Sequence, residues 1–326
     1  MKLILKGLLL SLLVSSGVMA NEVISVKTVK PTTSVTTQTH DVRVFVSDNK
    51  DGKITPKLIE EVFEKAGFVI AANNNMNAPF MRDFNNTTFD VYNLFAVFRK
   101  DTVLALAENY PEIGLFSPMT MSIYTKKGDT TISISSLRPS AMARMMNIPQ
   151  DNPAILDLDK KIVDTLKSIM PNGKFVALNY KMKKPTENII TRVSYKQKGD
   201  DWEDAKDDFQ MAFESELARN RFVMAGFSDL NFDLDDNDKD WYTFYDVYSI
   251  CKIEVIYEVA KTHPEAGAFA PCSAYMYQKK DDETVYMAFP NVHKWIAALN
   301  IQDKKTIEVL LDAQKRFESI LAKVSK

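Results

Sequence analysis

Cysteine, histidine and glycine are scarce in this chain. Its 326 residues hold 2 cysteines, 3 histidines and 10 glycines. Two cysteines, Cys251 and Cys272, cannot build a disulfide framework, and they form no Cys-x-x-Cys redox pair or haem attachment motif. His40, His263 and His293 are scattered, and no His/Cys pair has zinc spacing, so no metal site is expected. There is no Gly-rich phosphate loop and no Gly-x-Ser-x-Gly elbow. An excess of basic charge is also missing: the formal net charge is −2 at pH 7, which excludes the basic footprint of a nucleic-acid binder. Past residue 20, no apolar run approaches the ~18 residues that cross a bilayer, so no integral membrane segment is expected there.

The first 20 residues read as a cleavable signal peptide. Lys2 and Lys6 form a basic start, Leu8 to Val14 a short apolar run, and Val18-Met19-Ala20 a small-residue end. The expected location is therefore the periplasm. Removing the two lysines takes the formal charge from −2 to −4.

The remainder repeats itself. Pro111-Glu-Ile-Gly-Leu-Phe-Ser-Pro118 matches Pro264-Glu-Ala-Gly-Ala-Phe-Ala-Pro271 at an offset of 153, as do Lys126-Lys127 with Lys279-Lys280 and Asn147-Ile148 with Asn300-Ile301. Lys30-Pro31-Thr32 matches Lys184-Pro185-Thr186 at 154, and Asp90-Val-Tyr92 matches Asp246-Val-Tyr248 at 156, which implies a three-residue indel. Such order over the whole chain marks an internal duplication. The expected units are 21–171 and 172–326, hinged at Pro171-Asn-Gly-Lys174. The acidic excess of the second unit, in Asp200–Asp204 and Asp233–Asp240, reads as a solvated helix start and a solvated loop.

Periodicity fills in the elements. Leu58, Ile59, Val62, Phe63 and Ala66 recur at helical spacing, as do Trp202, Ala205, Phe209, Phe213 and Leu217. Each predicted helix runs into an apolar strand. Strands are predicted over 119–125 and 130–136, and over 272–278 and 283–289, each pair joined by a hairpin-like Lys-Lys link. Each unit also begins with two predicted strands, Val23–Lys30 and Asp41–Val46, then Phe175–Met182 and Ile189–Tyr195. Hairpins mixed with helices predict an α+β fold with a largely antiparallel sheet and helices on one face. Alternation puts Met119, Met121 and Ile123 on one face and Thr120, Ser122 and Tyr124 on the other; Cys272, Ala274 and Met276 likewise oppose Ser273, Tyr275 and Tyr277. The first face reads as core under the helices. The tyrosine-rich face is too apolar for water over its whole area, so the two units are expected to pack these faces together as a pseudo-symmetric pair; an open ligand platform is the competing reading.

The Pro-Glu-x-Gly-x-Phe-x-Pro segment, followed by a small or sulfur residue, a strand, a hairpin and Pro139 or Pro290, resembles the domain of unknown function 302 family. The resemblance spans roughly 55–146 and 202–300 and is closer in the second unit, with Pro271-Cys272; the first has Pro118-Met119 where the family often has Pro-Cys. It implies a compact α+β domain that tends to pair. The family carries no established activity, so no catalytic residue transfers.

The chemistry-bearing residues divide into weak constellations. Asp48-Asn-Lys-Asp-Gly52 resembles a calcium loop, but Ser47 and Leu58 occupy the first and twelfth positions, where oxygen ligands belong. Met119 and Met121, with Met142, Met145 and Met146 nearby, could act with Cys272 on a soft metal, but methionine at alternating positions is ordinary core filling. Cys251 and Cys272 fall in strands of one unit and are expected as buried free thiols, with a disulfide as the other outcome. His263 beside Glu265 could supply acid–base chemistry in a cleft, although the counterpart of His263 is Tyr110. The expected function is non-enzymatic binding of an unknown small molecule or periplasmic protein at the cleft between the units, with Tyr124, Tyr275 and Tyr277 as candidate ligand residues and no cofactor. The alternative is an accessory redox or soft-metal-handling role for Cys251, Cys272, Met119 and Met121. A homo-oligomer is compatible with the sequence.

Overall fold

The computed structural model describes residues 40–197, 199 and 201–325. The expected signal peptide and the expected strand Val23–Lys30 lie outside the described residues. In the first half, the chain runs β1 (Val42–Asp48), α1 (Pro56–Lys65), β2 (Val69–Asn75), α2 (Asn77–Phe84), β3 (Phe89–Phe98) and α3 (Lys100–Leu106). A 3-10 turn, Pro111–Phe116, then leads to β4 (Met119–Lys126), β5 (Thr131–Leu137), α4 (Pro139–Met146) and α5 (Pro153–Ile169). After the short β6 (Lys174–Val176) the plan repeats with β7 (Ile190–Lys196), α6 (Trp202–Arg219), β8 (Val223–Asp229), α7 (Leu230–Asp235), β9 (Tyr242–Cys251) and α8 (Ile253–Ala260). The second 3-10 turn, Pro264–Ala268, is followed by β10 (Cys272–Lys279), β11 (Thr284–Pro290), α9 (Val292–Ala298) and α10 (Lys304–Val324).

Local chemistry explains the helix starts. Thr55 caps α1 by accepting from the Leu58 N–H, with Pro56 at the first helical position. Asp201, inside the expected acidic helix start, caps α6 by accepting from Glu203 and Asp204. The strands form two antiparallel sheets, ordered β2-β3-β4-β5-β1-β6 and β7-β11-β10-β9-β8. The fold is thus α+β, a duplicated unit whose helices α1 and α5, or α6 and α10, cover one face of each sheet. Met119, Met121 and Ile123 are buried there in the first unit, and Phe209, Phe213, Ala274, Met276 and Phe317 share one apolar cluster in the second.

Three expectations are corrected. The strand expected over Phe175–Met182 is only Lys174–Val176, and it pairs with β1 in the first sheet. Phe175 packs there edge-on against Phe45, with the Arg43 guanidinium 5.0 Å above its ring. The Asp-Val-Tyr match at offset 156 is also misleading. Strands β3 and β9 correspond at 153, so Tyr92 is the counterpart of Tyr245, and no three-residue indel lies between them and the Pro-Glu-x-Gly turns. Cross-strand register agrees: Tyr92 faces Tyr124 as Tyr245 faces Tyr277. The length change is a single residue between β2/β8 and β3/β9. Asp233, expected in a solvated loop, is instead buried and paired with Lys100 of the first unit at 2.5 Å.

The faces opposite the helices meet, forming a pseudo-symmetric pair. Each 3-10 turn lies on the other unit's sheet. The Tyr92 hydroxyl donates to the Pro264 carbonyl at 3.0 Å, and the Tyr245 hydroxyl donates to its equivalent, Pro111. The Gly114 N–H donates to the Tyr245 oxygen at 2.8 Å, and Gly267 meets Tyr92 in the same way. Ser122 and Ser273 each donate across the interface at 2.8 Å, to the carbonyls of Pro264 and Pro118. Glycine is required by closeness: a Cβ on Gly114 would sit 2.7 Å from both the Tyr245 oxygen and the Tyr275 Cβ, and one on Gly267 would collide with Ser122. A buried ionic group joins the same units, with Asp41 bonded to Arg144 and to Lys294 of α9. Burial pushes the Asp41 carboxyl up, but the two cations outweigh it and hold it below the usual range.

Gly114→Ala forces the turn off the tyrosine face. It is expected to lower the unfolding free energy in urea by about 1–3 kcal/mol; an unchanged denaturation midpoint would show that the close approach is dispensable.

Candidate functional site

The second unit contains a cavity of about 60 Å3 at the end of its sheet. Strand ends β9 and β10 bring Cys251, Cys272 and Ala274 to it, α9 supplies Trp295, and α10 closes it with Phe317. A volume of that size has room for about four water-sized groups. The wall is apolar apart from a few polar side chains, and most of these have partners. Gln314 accepts from the Val292 N–H at 3.1 Å and donates to Thr191 and Glu318. The Lys252 ammonium donates to the Asn220 carbonyl at 3.1 Å and sits 5.2 Å from the centre of the Phe222 ring. Trp295 is 2% exposed, and its indole Nε1 finds no partner among the described residues.

Comparison of the two units explains the hollow. At the shared offset, Cys272, Ala274 and Trp295 replace Met119, Met121 and Met142. All three methionines are buried, at 2%, 0% and 0% exposure, and long thioether side chains fill irregular space. Where the first unit has Met121 the second has only a methyl group, so its sheet end lacks the atoms that would fill the space.

The residues singled out from sequence separate into three places. Tyr124, Tyr275 and Tyr277 are buried on the faces between the units. Burial pushes all three phenols up, with Glu265 adding to the effect at Tyr124 and Glu112 at the other two. Met119 and Met121 lie in the helix-side core of the first unit; the Ser273–Pro118 bond brings the strand starts together, but alternation turns these methionines and the second unit's Cys272 toward the helix sides of their own sheets. Cys251 and Cys272 are free thiols that share the cavity wall. Burial pushes both up to about 12, which keeps them as protonated, weakly nucleophilic thiols. Among the described residues, no group of three or more His, Cys, Asp or Glu side chains is arranged to hold a metal. No described helix is long and apolar enough to cross a membrane.

His263 and Glu265 do come together, through Tyr180. The Tyr180 hydroxyl donates to Glu265 at 2.9 Å, and its ring lies 5.4 Å from that of His263. Glu265 is buried, and neither it nor His263 lines the cavity. Burial lowers the His263 pKa, with Glu265 opposing. His263 bonds the Thr262 hydroxyl at 2.9 Å.

Sequence reasoning paired Asp246 with Asp90 and so missed its setting. Its structural counterpart is Asn93. Asp246 is fully buried under α6, 2.8 Å from the Lys206 ammonium, and one of its oxygens has no partner among the described residues. Burial pushes its carboxyl up to about 6 despite Lys206.

The family model described as Domain of unknown function DUF302 matches the chain twice, over residues 44–170 and 203–324. The chain belongs to the DUF302 family. The two DUF302 matches fall on the two sheets and their helices, making this a tandem DUF302 protein. It is similar to the solved structure of an uncharacterized conserved DUF302 protein from Bacillus stearothermophilus, at 18% identity and a TM-score of 0.35, over 42% of this chain and 98% of that one. No curated protein matches.

Because the folded Asp246 holds its proton above the ordinary value of 3.8, its contribution to stability is full below about pH 4 and is lost as pH rises through about 6. Asp246→Asn is expected to flatten that part of the stability–pH profile by about 2–3 kcal/mol; an unchanged slope in urea titrations across this range would refute the assignment.

Proposed function

We propose that this tandem DUF302 protein is exported to the periplasm and works by non-enzymatic binding of a small, largely apolar molecule. The proposed site is the cavity of the second unit. The single observation that carries this reading is the hollow itself: equivalent positions in one chain are filled by methionine in the first unit and left open around Cys272 and Ala274 in the second. A largely apolar cavity of this kind takes apolar guests. The tyrosine face between the units supports pairing better than ligand capture, since Tyr92 and Tyr245 spend their hydroxyls on the opposite turns. The soft-metal alternative has little support. Its methionines and Cys272 are on opposite sides of the paired sheets, and both thiols are held protonated. Export rests on the leader pattern from Lys2 to Ala20.

Xenon is a suitable first probe because it tests volume without polar recognition. The 129Xe resonance is expected to shift saturably with the wild-type protein and to lose that shift in Ala274→Met, which copies the packing of the first unit. Equal behaviour of the two proteins would remove the cavity as a site. Expressed from Met1, the chain is expected in the periplasmic fraction, cut after Ala20; an uncut cytoplasmic product would remove the export reading.

A further inference from the structure

The two sheets differ at one edge. In the first sheet, β1 carries a further strand on its outer side: β6 pairs with it antiparallel, Phe175 opposite Phe45. The counterpart of β1 is β7, because Val44 faces Ser135 as Arg192 faces Ala288, and Ser135 and Ala288 are 153 residues apart. β7 pairs with β11 over seven consecutive positions without a bulge, and among the described residues no strand lies on its other side. The Gln197 N–H donates to the Glu283 carbonyl and the Ile189 carbonyl accepts from the Asn291 N–H, so the odd-numbered residues bond inward. Arg192, Ser194 and Lys196 therefore turn their backbone N–H and C=O groups outward, and all three residues are exposed.

This edge is also basic. Residues 174–196 hold six basic residues and one acidic residue, in a chain whose net charge is −2. Lys174, Lys181, Lys183, Lys184 and Lys196 are exposed, and among the described residues none of them makes an ion pair. Arg192 reaches Glu112 at 3.6 Å. Lys181, Lys183 and Lys184 lie on the strap between β6 and β7, which the Lys183 N–H ties to the Ala297 carbonyl at 2.9 Å. Only six residue steps separate Lys184 from Ile190, so it stays within about 22 Å of the start of β7.

We propose that the open edge of β7 binds an extended, acidic segment of another protein, which adds to the second sheet as an antiparallel strand. The backbone ladder supplies affinity, and the side chains supply choice. Opposite Arg192 and Lys196 the segment carries Asp or Glu, four residues apart on one face. Opposite Val193 and Tyr195, which pack on the helix side, it carries apolar residues. β6 already fills the equivalent edge in this way, with Phe175 over Phe45 at the place that corresponds to Val193. A second copy of the chain is a poorer occupant, since it brings the same basic band against itself. A nucleic acid is poorer too, because it cannot continue the ladder. The edge is separate from the cavity, which β7 does not line.

The probe is the peptide acetyl-Thr-Glu-Val-Thr-Val-Glu-Thr-amide, titrated into protein purified after expression from Met1 and followed by nuclear magnetic resonance and hydrogen exchange. The Arg192, Ser194 and Lys196 amides are expected to shift saturably and to exchange more slowly. The same peptide methylated on both glutamate backbone nitrogens keeps its charge and loses two ladder donors; it is expected to bind about tenfold more weakly or worse. Ser194→Pro removes an outward N–H and leaves the bonds to β11 in place, and it is expected to weaken the unmethylated peptide about fivefold. Arg192→Glu with Lys196→Glu is expected to reverse the preference toward a peptide with lysine in place of glutamate. No saturable shift of the β7 amides overturns the proposal. So does equal binding of the methylated peptide, or tighter binding of a single-stranded oligonucleotide that Ser194→Pro does not weaken, since either marks a general anion surface. A dimer in sedimentation that Ser194→Pro abolishes would give the edge to a second copy and overturn it as well. Where Ser194→Pro does not fold, the methylated peptide on the wild-type protein decides.

Discussion

The fold of this protein turns on one constraint, the reciprocal seating of each Pro-Glu-x-Gly turn on the other unit's sheet. A 3-10 turn carries backbone groups that its own short helix cannot pair, and burying them unpaired would be costly. Each turn meets that need with a tyrosine and, in part, a hydroxyl from the opposite sheet: Tyr245 for Pro111 and Gly114, Tyr92 and Ser122 for Pro264. The same tyrosines lie on a face that would otherwise leave aromatic surface in water. The backbone needs an acceptor and donor, and the sheet needs a cover. Each unit answers the other, which gives a physical reason for two copies to share one chain.

The close approach propagates outward. Without side chains at Gly114 and Gly267, the sheets come near enough for Ser273 to reach Pro118 and for Tyr242 to reach Ala107. At the rim, Tyr257 of the second unit stacks on Phe84 of the first with centroids 3.8 Å apart. Lys294, Asp41 and Arg144 add a buried ionic group, the kind of feature that specifies one arrangement more than it adds stability. With the pairing held by the inner faces, the outer, helix-covered faces were free to diverge. Divergence there is visible in Met119, Met121 and Met142 against Cys272, Ala274 and Trp295, and in Asn93 against Asp246.

Much of this is legible in the sequence. Alternation in β4 and β10 places the methionines under the helices and the tyrosines on the opposite face, because a strand's side-chain period of two leaves no other choice. The Pro-Glu-x-Gly repeat marked the duplication and the family. Offset arithmetic failed at Asp90 and Asp246, where a short identical tripeptide outweighed strand register: Tyr92 and Tyr248 look alike in sequence but point to opposite faces of their sheets. The strand expected over Phe175–Met182 is short because only Lys174–Val176 pair with β1.

By itself the sequence determined the class of fold, the two copies and the face each strand residue occupies, since those follow from local period and repetition. It also determined what chemistry is scarce: few thiols, few imidazoles, no phosphate loop. Only the tertiary structure decided which tyrosine serves which turn, that Glu265 and His263 meet through Tyr180, that Asp246 lies fully buried, and that a hollow opens around Trp295. Each of these depends on atoms brought together from distant parts of the chain. A cavity is the extreme case, because it is defined by side chains that fail to meet, and no pattern along a sequence records the space left between them.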